Sequence, residues 1–246
     1  MTPSSTHLVV VPSYNPGARL ADTVAEALTR WRPVWVVDDG STDASLRLLE
    51  ARVGGEAGFR LIRRDSNGGK GAAVLTAARI AIAEGFTHAL VMDADGQHPS
   101  ERIADFMRLS CAHPSSLIAG QPLFGPEAPK LRLYGRQLSV AMVWLELGGS
   151  VLRDPLFGFR VYPLAALASA MDRTRWARRY DFDPEVAVRM AWAGTPVVNA
   201  PATCRYIAQE HGGVSHFHYI RDNLRMITLH TRLMTERILR RRSARS

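Results

Sequence analysis

Through the first half of the chain, short runs of uninterrupted apolar residues alternate with longer stretches of helical periodicity. The segments HLVVVPS, PVWVVDDG, FRLIRR, THALVMDADG and SLIAG are typical of buried strands, and helices are predicted near Arg19 to Trp31, Asp43 to Val53, Gly71 to Ala83 and Ser100 to Cys111. Strands that are apolar throughout need cover on both faces, which a parallel sheet between two helical layers provides. We therefore predict an α/β fold with a Rossmann-like, mostly parallel sheet and helices on both faces.

The second half of the chain is less regular. A helix is predicted near Leu131 to Leu147, a strand at GFRVYP, a helix near Asp183 to Ala193 and a strand at PVVNAP. The length of 246 residues fits one large α/β domain with an appended C-terminal segment. We predict a domain over residues 1–215, followed by a basic amphipathic helix and tail over residues 216–246.

The positive charge of the chain is concentrated at its C-terminal end. The formal net charge is +8, and the last 26 residues carry eight arginines against Asp222 and Glu236. A basic tail on a nearly neutral body favours an anionic surface over a nucleic acid as the partner. We expect no nucleic-acid partner, and no oligomeric state is indicated.

Two absences in the sequence bear on location. The longest apolar run, Val140 to Leu145, is too short to span a bilayer, and the N-terminal residues lack the basic region of a signal peptide. Cys111 and Cys204, the two cysteines of the chain, lie in neither a CxxC motif nor a zinc-binding spacing, and a reduced, intracellular compartment is then the expectation. These features predict a cytoplasmic protein, bound at most peripherally to the cytoplasmic face of a membrane.

Polar turns follow the predicted strands, in the order PSYNPG, DDGSTD, NGGKG and DADGQHP. Such turns gather at the carboxyl edge of a parallel sheet, where ligands bind. In the last turn Asp93, Asp95 and Gln97 alternate along an extended segment and therefore face the same way. Three oxygen ligands suit Mg²⁺ or Mn²⁺, whose other positions water and substrate phosphates fill. The alternative is a helix N-cap with a solvated turn.

The two preceding turns carry weaker signals. A carboxylate of DDGSTD can accept a hydrogen bond from a base or ribose, although the segment also fits a turn followed by a capped helix. The segment NGGKG fails the phosphate-loop pattern because Gly71 follows Lys70, which argues against a Walker-type nucleoside triphosphatase. It predicts either a helix entry that faces an anion or a plain turn.

These four turns, with the later DPLFGFRVYP, resemble in order and spacing the family 2 glycosyltransferases of GT-A fold, most closely the dolichyl-phosphate and polyprenyl-phosphate sugar synthases. The resemblance runs from about Leu8 to Arg205, and MDADGQHP is its most specific element. It implies a metal-dependent, inverting transferase that uses a nucleotide-diphosphate-sugar. The implied acceptor is lipid-linked, either a polyprenyl phosphate or a lipid hydroxyl.

The resemblance also implies roles for single residues. The nucleotide is expected against Pro12, Tyr14, Val37, Asp39, Asp93 and Ala94, and the Mg²⁺ or Mn²⁺ ion against Asp93, Asp95 and Gln97. Asp95 is counted as catalytic because the diphosphate leaves at this turn. Arg205 matches a family arginine near the sugar diphosphate, and phosphate neutralisation is expected from Arg136, Arg205 or His216. Lys70 is a further phosphate-binding candidate, suggested by its own glycine-rich turn and not by the resemblance.

The chain departs from the family pattern at three places. Pro16 replaces the acid of a PSYNE-like turn, and AGQPLF lacks an arginine that the family has just after the fifth strand. His216 in GGVSHF stands where a lysine is usual. The departures leave open whether the acceptor is a phosphate or a hydroxyl.

The two kinds of acceptor make different demands on the protein. A lipid phosphate is already an anion, whereas a hydroxyl needs a general base within hydrogen-bond reach. Asp154, Asp183 and Glu185 are candidate catalytic residues, in DPLFGF and YDFDPE. The acids of YDFDPE, Asp181 among them, fit equally well as N-cap and first-turn residues of the next helix.

The C-terminal segment predicts a basic amphipathic helix. Its apolar residues at helical spacing are Phe217, Ile220, Leu224, Ile227, Met234 and Ile238, and a separate stripe holds Arg221, Arg225 and Arg232. Together with RRRSARS, this pattern suits an anionic cytoplasmic leaflet. A final helix packed on the domain, with a frayed basic tail, is the alternative.

Two functions from other classes stay open at the level of the sequence. A sugar-phosphate nucleotidylyltransferase also pairs an α/β sheet with acidic metal ligands, but the chain lacks that class's GxGTRxxPxTxxxPK-like N-terminal loop. A catalytically silent nucleotide-binding protein would not need every acidic turn that the chain contains.

Overall fold

A computed structural model describes residues 2–125, 130–205 and 219–243 of the chain. Within these residues one seven-stranded sheet has the order β3-β2-β1-β4-β6-β5-β7. Its strands are β1 (His7–Ser13), β2 (Val34–Asp38), β3 (Phe59–Arg63), β4 (His88–Val91), β5 (Leu117–Phe124), β6 (Arg160–Pro163) and β7 (Val197–Cys204).

Eight helices accompany the sheet in the same part of the chain. They are α1 (Arg19–Arg30), α2 (Ser45–Val53), α3 (Lys70–Ala83), α4 (Ile103–Ala112), α5 (Lys130–Leu147), α6 (Leu164–Asp172), α7 (Phe182–Trp192) and α8 (Tyr219–Ser243), and a short 3-10 helix, Ser100–Arg102, precedes α4. The sequence analysis did not predict α6. This helix begins directly after Pro163, so no polar turn separates its apolar residues from those of β6.

The sheet is parallel except for one strand. β6 lies between β4 and β5 and is antiparallel to both, with Arg160 opposite Val91 and Pro163 opposite His88. The amino end of β6 therefore lies beside the carboxyl end of β4. As a result, the segment DPLFGF, which precedes β6, reaches the same sheet edge as the turn that follows β4.

Successive residues of β1 lie in two separate hydrophobic cores, one on each face of the sheet. Leu8 and Val10 of β1 belong to the core that α3, α6 and α7 cover, whereas Val9 and Val11 belong to the core under α1, α2 and α4. All four side chains are at most 1% exposed. This two-sided burial explains why β1 is apolar at nearly every position, as the sequence predicted.

The C-terminal helix α8 packs against the domain through one face and presents another to solvent. Leu229 and Leu233 are buried, and His230 Nδ1 lies 2.7 Å from Glu146 Oε1 on α5. On the outer face Leu224 and Ile227 are 58% and 62% exposed.

Three of the residues predicted for the apolar stripe of this helix do not hold it on the domain, while Met234 is half-buried and nothing is described of the Ile220 side chain. Leu224, Ile227 and Ile238 are all exposed, whereas Phe217 and the predicted domain boundary at residue 216 lie outside the described residues. No helix in the described ranges combines the length and apolarity needed to cross a bilayer.

Candidate active site

The turn that follows β4 places oxygen ligands at the sheet edge. Gly96 has a φ of 76°, a left-handed conformation that favours glycine and reverses the chain between Asp95 and Gln97. Asp95 Oδ1 accepts the backbone N–H of Gln97 at 3.0 Å. The backbone N–H of Asp93 donates to Nδ1 of His98 at 2.8 Å. The turn is thus held by its own side chains, with the Asp93 carboxylate left half-buried at the edge.

Lys70, the first residue of α3, joins this turn to the start of α7. Its ammonium lies 2.7 Å from Asp93 Oδ1 and 2.7 Å from Asp183 Oδ2. Burial opposes the charged form, but the carboxylates of Asp183 and Asp93 raise the pKa of Lys70 above its usual value. Burial likewise opposes ionisation of Asp93, whereas Lys70 and His98 lower its pKa to about 2. Lys70 and Asp93 are therefore both charged at neutral pH.

Two residues that the sequence analysis did not single out support this cluster. A Cβ atom on Gly158 would overlap the Lys70 ammonium and lie 3.2 Å from Asp183 Oδ1, so glycine leaves the space that the lysine occupies. The fully buried guanidinium of Arg160 donates to the backbone carbonyls of Asp183, at 2.5 Å, and Pro155, at 2.7 Å. The only available signal was their position in GFR, and the antiparallel course of β6 is what brings them here.

The residues of this edge fit a divalent cation. Burial and the negative charge of Asp93 raise the pKa of Asp95. The positive charges around Asp95 therefore do not fully balance the charge of its carboxylate. Asp183 Oδ1 is buried and has no hydrogen-bond partner among the residues that the structure describes. In the described part of the chain, no three His, Cys, Asp or Glu side chains form a metal-binding group. Mg²⁺-type sites take one or two carboxylates from the protein and further ligands from substrate phosphates, and the turn after β4 contains two carboxylates, Asp93 and Asp95.

The glycine-rich turn before α3 encloses an anion that belongs to the protein itself. Backbone N–H groups of Gly68 and Gly69 donate to the Asp39 carboxylate at 3.1 and 2.6 Å, and Arg64 adds a charge-assisted hydrogen bond. The N–H of Ala72 donates to the carbonyl of Arg178 at 3.2 Å. Of the two alternatives for this segment, these contacts favour a turn that binds within the protein, since the N–H groups of Gly68, Gly69 and Ala72 are engaged and Lys70 contacts two carboxylates.

The residues expected around the nucleotide lie at the ends of β1, β2 and β4. Pro12 pairs with Val37 across β1 and β2, and the backbone N–H of Asp39 donates to the Ser13 carbonyl at 2.8 Å. Tyr14 is 39% exposed beside them. We call the sheet edge between the turn after β4 and the starts of α3 and α7 the crevice. The Val37 side chain does not face it, because that side chain is fully buried in the core. Ala94 is 8% exposed, in the turn after β4.

Two residues with separately predicted roles pair with each other. Arg136 on α5 donates from Nε and Nη2 to the Asp154 carboxylate at 2.5 and 2.6 Å. Asp154 Oδ1 also accepts the N–H groups of Leu156 and Phe157, both at 2.9 Å. Neither side chain is free in the structure, so the pair orders the segment between α5 and β6.

Of the two remaining phosphate candidates, Arg205 is the one within the described residues. Arg205 lies close to the acidic turn, since its N–H donates to the Gln97 carbonyl at 3.0 Å and its guanidinium lies 3.2 Å from Glu101. Its side chain is 52% exposed and can therefore turn toward a ligand. His216 lies outside the described residues.

Glu185 is not brought to the crevice. Its side chain has no exposed surface and pairs with Arg232 of α8 and Arg189 of α7. Thr174 adds a hydrogen bond to Oε1 at 3.2 Å. The general-base role predicted for Glu185 conflicts with this position, because a carboxylate enclosed by two guanidinium groups is shielded from substrate.

Comparison with known proteins agrees with this architecture. The family described as Glycosyl transferase family 2 matches residues 8–167. The undecaprenyl-phosphate mannosyltransferase of Micrococcus luteus is 24% identical over 219 residues, covering 83% of this chain and 85% of that protein. The UDP-N-acetylglucosamine–dolichyl-phosphate N-acetylglucosaminyltransferase of Methanococcus voltae is 23% identical, covering 73% and 78%.

Solved structures show the same fold at lower identity. The glucosyl-3-phosphoglycerate synthase of Mycobacterium tuberculosis, in complex with Mn²⁺, UDP and glucosyl-3-phosphoglycerate, superposes with a TM-score of 0.65 and 18% identity over 95% of this chain and 80% of that one. TarS of S. aureus with UDP gives a TM-score of 0.57 at 18% identity over 95% and 65%. The sheet order, the acidic turn and the family match lead to one conclusion: this chain belongs to glycosyl transferase family 2 and is a glycosyltransferase of GT-A-like fold.

Proposed function

We propose that this glycosyltransferase is metal-dependent and inverting, and that it moves a sugar from a nucleotide-diphosphate-sugar to a lipid-linked acceptor. The observation that carries the proposal is the juxtaposition of the acidic turn with Lys70 and Asp183, within one crevice at the sheet edge. The turn supplies oxygen ligands, and α7 contributes a second carboxylate on the other side of the lysine. A donor diphosphate and an acceptor can therefore be held on opposite sides of one anomeric carbon.

Asp93, Asp95 and Gln97 would hold Mg²⁺ or Mn²⁺ at the donor diphosphate. When bound, the metal neutralises charge that develops on the leaving diphosphate. Arg205 lies next to this turn and adds a mobile positive charge near the same phosphates. The protein's part in the departure of the nucleotide is thus to fix two carboxylates and one guanidinium around it.

The nucleoside end would lie against the turns after β1 and β2. Asp39 Oδ2 accepts one hydrogen bond in the structure, from Gly69, which leaves a lone pair for a base or ribose donor. Tyr14 is exposed at the same edge. The nucleotide would then cross the sheet from β2 toward the turn after β4.

Of the three candidate bases, Asp183 is the one with an unengaged carboxylate oxygen. Lys70 holds Oδ2, whereas Oδ1, which is buried, has no hydrogen-bond partner among the described residues. Asp154 is held by the Arg136 guanidinium and two backbone N–H groups, and Glu185 is held by two guanidinium groups. For an acceptor that is a lipid phosphate, no general base is needed, and Asp183 would instead act by keeping Lys70 at the reacting centre.

The acceptor would be presented at the cytoplasmic face of a membrane. The two relatives named above act on undecaprenyl phosphate and dolichyl phosphate, as their names state. Helices α5 and α8 pack together and expose large apolar side chains, which a bilayer surface would cover. These are Tyr134, Leu138, Trp144 and Leu145 on α5, and Leu224 and Ile227 on α8. The basic end of α8 suits an anionic leaflet.

The experiment is a screen of uridine and guanosine diphosphate sugars for binding and slow hydrolysis, with and without Mn²⁺ or Mg²⁺. Positive donors are then assayed with polyprenyl phosphate in vesicles, and the anomeric configuration of the product is determined by NMR. Asp95→Asn is the matched variant, because it removes one charge and keeps the shape. We expect one donor class to bind only with metal in the wild type and not in Asp95→Asn.

Other outcomes would contradict specific parts of the proposal. If the donor binds without metal, and binds equally well to Asp95→Asn, the metal assignment is wrong. Retention of the anomeric configuration would remove the inverting mechanism. Formation of a nucleotide sugar and pyrophosphate from a nucleoside triphosphate and a sugar phosphate would favour the nucleotidylyltransferase alternative.

A further inference from the structure

The connection between α6 and α7 is an unusually basic loop. Residues 173–180 read RTRWARRY, with four arginines, a tryptophan and a tyrosine, and no acid stands between Asp172 and Asp181. We call residues 173–180 the arginine loop. Neither the donor chemistry nor the acceptor chemistry described above uses it.

The arginine loop is held in one shape by its own hydrogen bonds. Asp181 accepts the backbone N–H groups of Ala177 and Arg179, both at 2.9 Å. The Arg178 guanidinium donates to the carbonyls of Trp176 and Met171 at 3.0 and 3.2 Å. Ala177 adopts a φ of 59°, which is uncommon for a residue other than glycine and persists only where its surroundings enforce it. A surface of fixed shape results.

This loop forms part of the rim of the active-site crevice. Arg179 donates to Asn67 Oδ1 at 2.8 Å, so the loop touches the glycine-rich turn that leads to Lys70. On its other side, the Arg232 guanidinium of α8 lies 4.6 Å from the ring centroid of Trp176. The loop therefore lies between the crevice and the C-terminal helix that we propose to bind a membrane.

The outward side chains of the loop combine positive charge with amphipathic rings. Arg173, Arg175 and Arg179 are exposed, and Trp176 and Tyr180 are 39% and 42% exposed. Tryptophan and tyrosine are enriched at the level of lipid headgroups, and arginines there are attracted to anionic lipid. Basic residues with aromatics also occur in single-strand nucleic-acid sites. The apolar side chains exposed on neighbouring α8 fit a bilayer and not a polynucleotide.

We infer that the arginine loop is a docking surface for anionic phospholipid headgroups and that it turns the crevice toward the bilayer. The inference rests on the proposed function in one respect, namely that the acceptor is embedded in a membrane. Arg173 and Arg175 supply the attraction, while Trp176 settles at the headgroup level. A membrane-bound acceptor then reaches Lys70 and Asp183 across a short rim.

The test uses the full chain and two kinds of vesicle, phosphatidylcholine alone and phosphatidylcholine with phosphatidylglycerol. The variant Arg173→Gln/Arg175→Gln is compared with Arg47→Gln/Arg52→Gln, which removes the same charge from exposed positions of α2. We expect the loop variant to bind the anionic vesicles roughly 30-fold more weakly, from about 1 kcal/mol per arginine, and the control variant to match the wild type. The vesicle-induced blue shift of tryptophan fluorescence should shrink in Trp176→Phe.

Several results would overturn the inference. Equal losses in the loop and control variants would show that binding follows net charge alone, and no loss in the loop variant would place the contact elsewhere. Loss of oligonucleotide binding with unchanged vesicle binding would assign the loop to nucleic acid. Donor hydrolysis in solution should be the same in all variants. Absence of donor binding in the wild type would contradict the proposed function and leave the vesicle result intact.

Discussion

The carboxylate of Glu185 and the guanidinium of Arg232 form two parallel hydrogen bonds, each 2.6 Å long, between the first turn of α7 and the middle of α8. Arg189 binds the same carboxylate at 2.9 Å and reaches Glu236 of α8 at 3.0 Å. The C-terminal helix is thus tied by buried charges to the helix that begins beside Asp183. Its position on the domain and the geometry of the crevice are mechanically connected.

Glu185→Gln is expected to destabilise the fold, because it leaves Arg232 and Arg189 without their shared negative charge. Breaking one partner of a buried ion pair costs about 3–5 kcal/mol of unfolding free energy. Urea unfolding followed by circular dichroism measures the change. Arg240→Gln is the control, since its pair with Glu236 is exposed and contributes at most about 1 kcal/mol. A loss of turnover in Glu185→Gln with unchanged stability would instead support the general-base role.

Gly158→Ala is expected to slow sugar transfer by displacing the Lys70 ammonium from Asp93 and Asp183. The added methyl group occupies the position of the ammonium, and the loss of a charge-assisted hydrogen bond corresponds to roughly 10- to 100-fold in rate. Lys70→Met should show an effect of the same order in kcat. Gly149→Ala, where a Cβ meets nothing within 4 Å, should leave kcat unchanged. Wild-type kcat in Gly158→Ala would mean that the ammonium position is not needed.

Asp39→Asn is expected to weaken the binding of nucleoside monophosphates and of nucleoside diphosphates by similar factors. The proposed contact is to the base or ribose, and the lost charge-assisted hydrogen bond corresponds to roughly 1–3 kcal/mol. Isothermal titration calorimetry with both ligands, in Mn²⁺, gives the two ratios. Because Asp39 also orders Gly68 and Gly69, the thermal midpoint should fall as well. An effect confined to the diphosphate would show that the residue acts on the phosphates.

Deletion of residues 237–246 should release the protein from anionic vesicles. The deleted segment carries Arg237, Arg240, Arg241, Arg242 and Arg245, and attraction of about 1 kcal/mol per residue near the surface sums to a loss of 100-fold or more. Hydrolysis of the donor in solution should be nearly unchanged, because Leu229, Leu233 and Glu236 remain to hold α8. High salt should weaken the binding of the full chain to anionic vesicles in the same way. If the full chain ignores anionic vesicles at low salt, a soluble acceptor is favoured.

His7 should make the fold less stable in mild acid. Burial, and then the charge of His88 stacked on it at 4.4 Å, lowers the pKa of His7 from 6.5 to about 4. The folded protein therefore holds His7 neutral where the unfolded chain would bind a proton. Its contribution to stability is complete above about pH 6.5 and is lost as the pH falls toward 4. Urea unfolding between pH 7 and pH 4 should show a flatter profile for His7→Gln than for the wild type, and identical profiles would contradict the assignment.

The sequence by itself determined the strands, most of the helices and the sheet edge at which the proposed site lies, whereas α6 was not predicted. Strands buried on both faces must be apolar throughout, so HLVVVPS and PVWVVDDG could be recognised without partners, and the polar turns after them had to gather at the carboxyl edge. The spacing of Asp93, Asp95 and Gln97 is local, but the extended course predicted for them is wrong, because β4 ends at Val91 and the chain turns at Gly96, whose φ is 76°. The helices near Arg19 and Gly71 were predicted to within one residue at each end, because their periodicity is local.

Only the tertiary structure decided which charges meet. The ammonium of Lys70 contacts Asp183, which is 113 positions away in the sequence. Because β6 runs antiparallel, Gly158 and Arg160 also lie at the edge where α3 and α7 begin. Glu185 shares one segment with Asp183, yet the turn of α7 directs it to Arg232. Asp39 accepts hydrogen bonds from Gly68 and Gly69, whereas the sequence of that turn left open whether it faces an anion or is a plain turn. Local sequence carries residue type and spacing, whereas strand direction and helix packing set the partner of every buried charge.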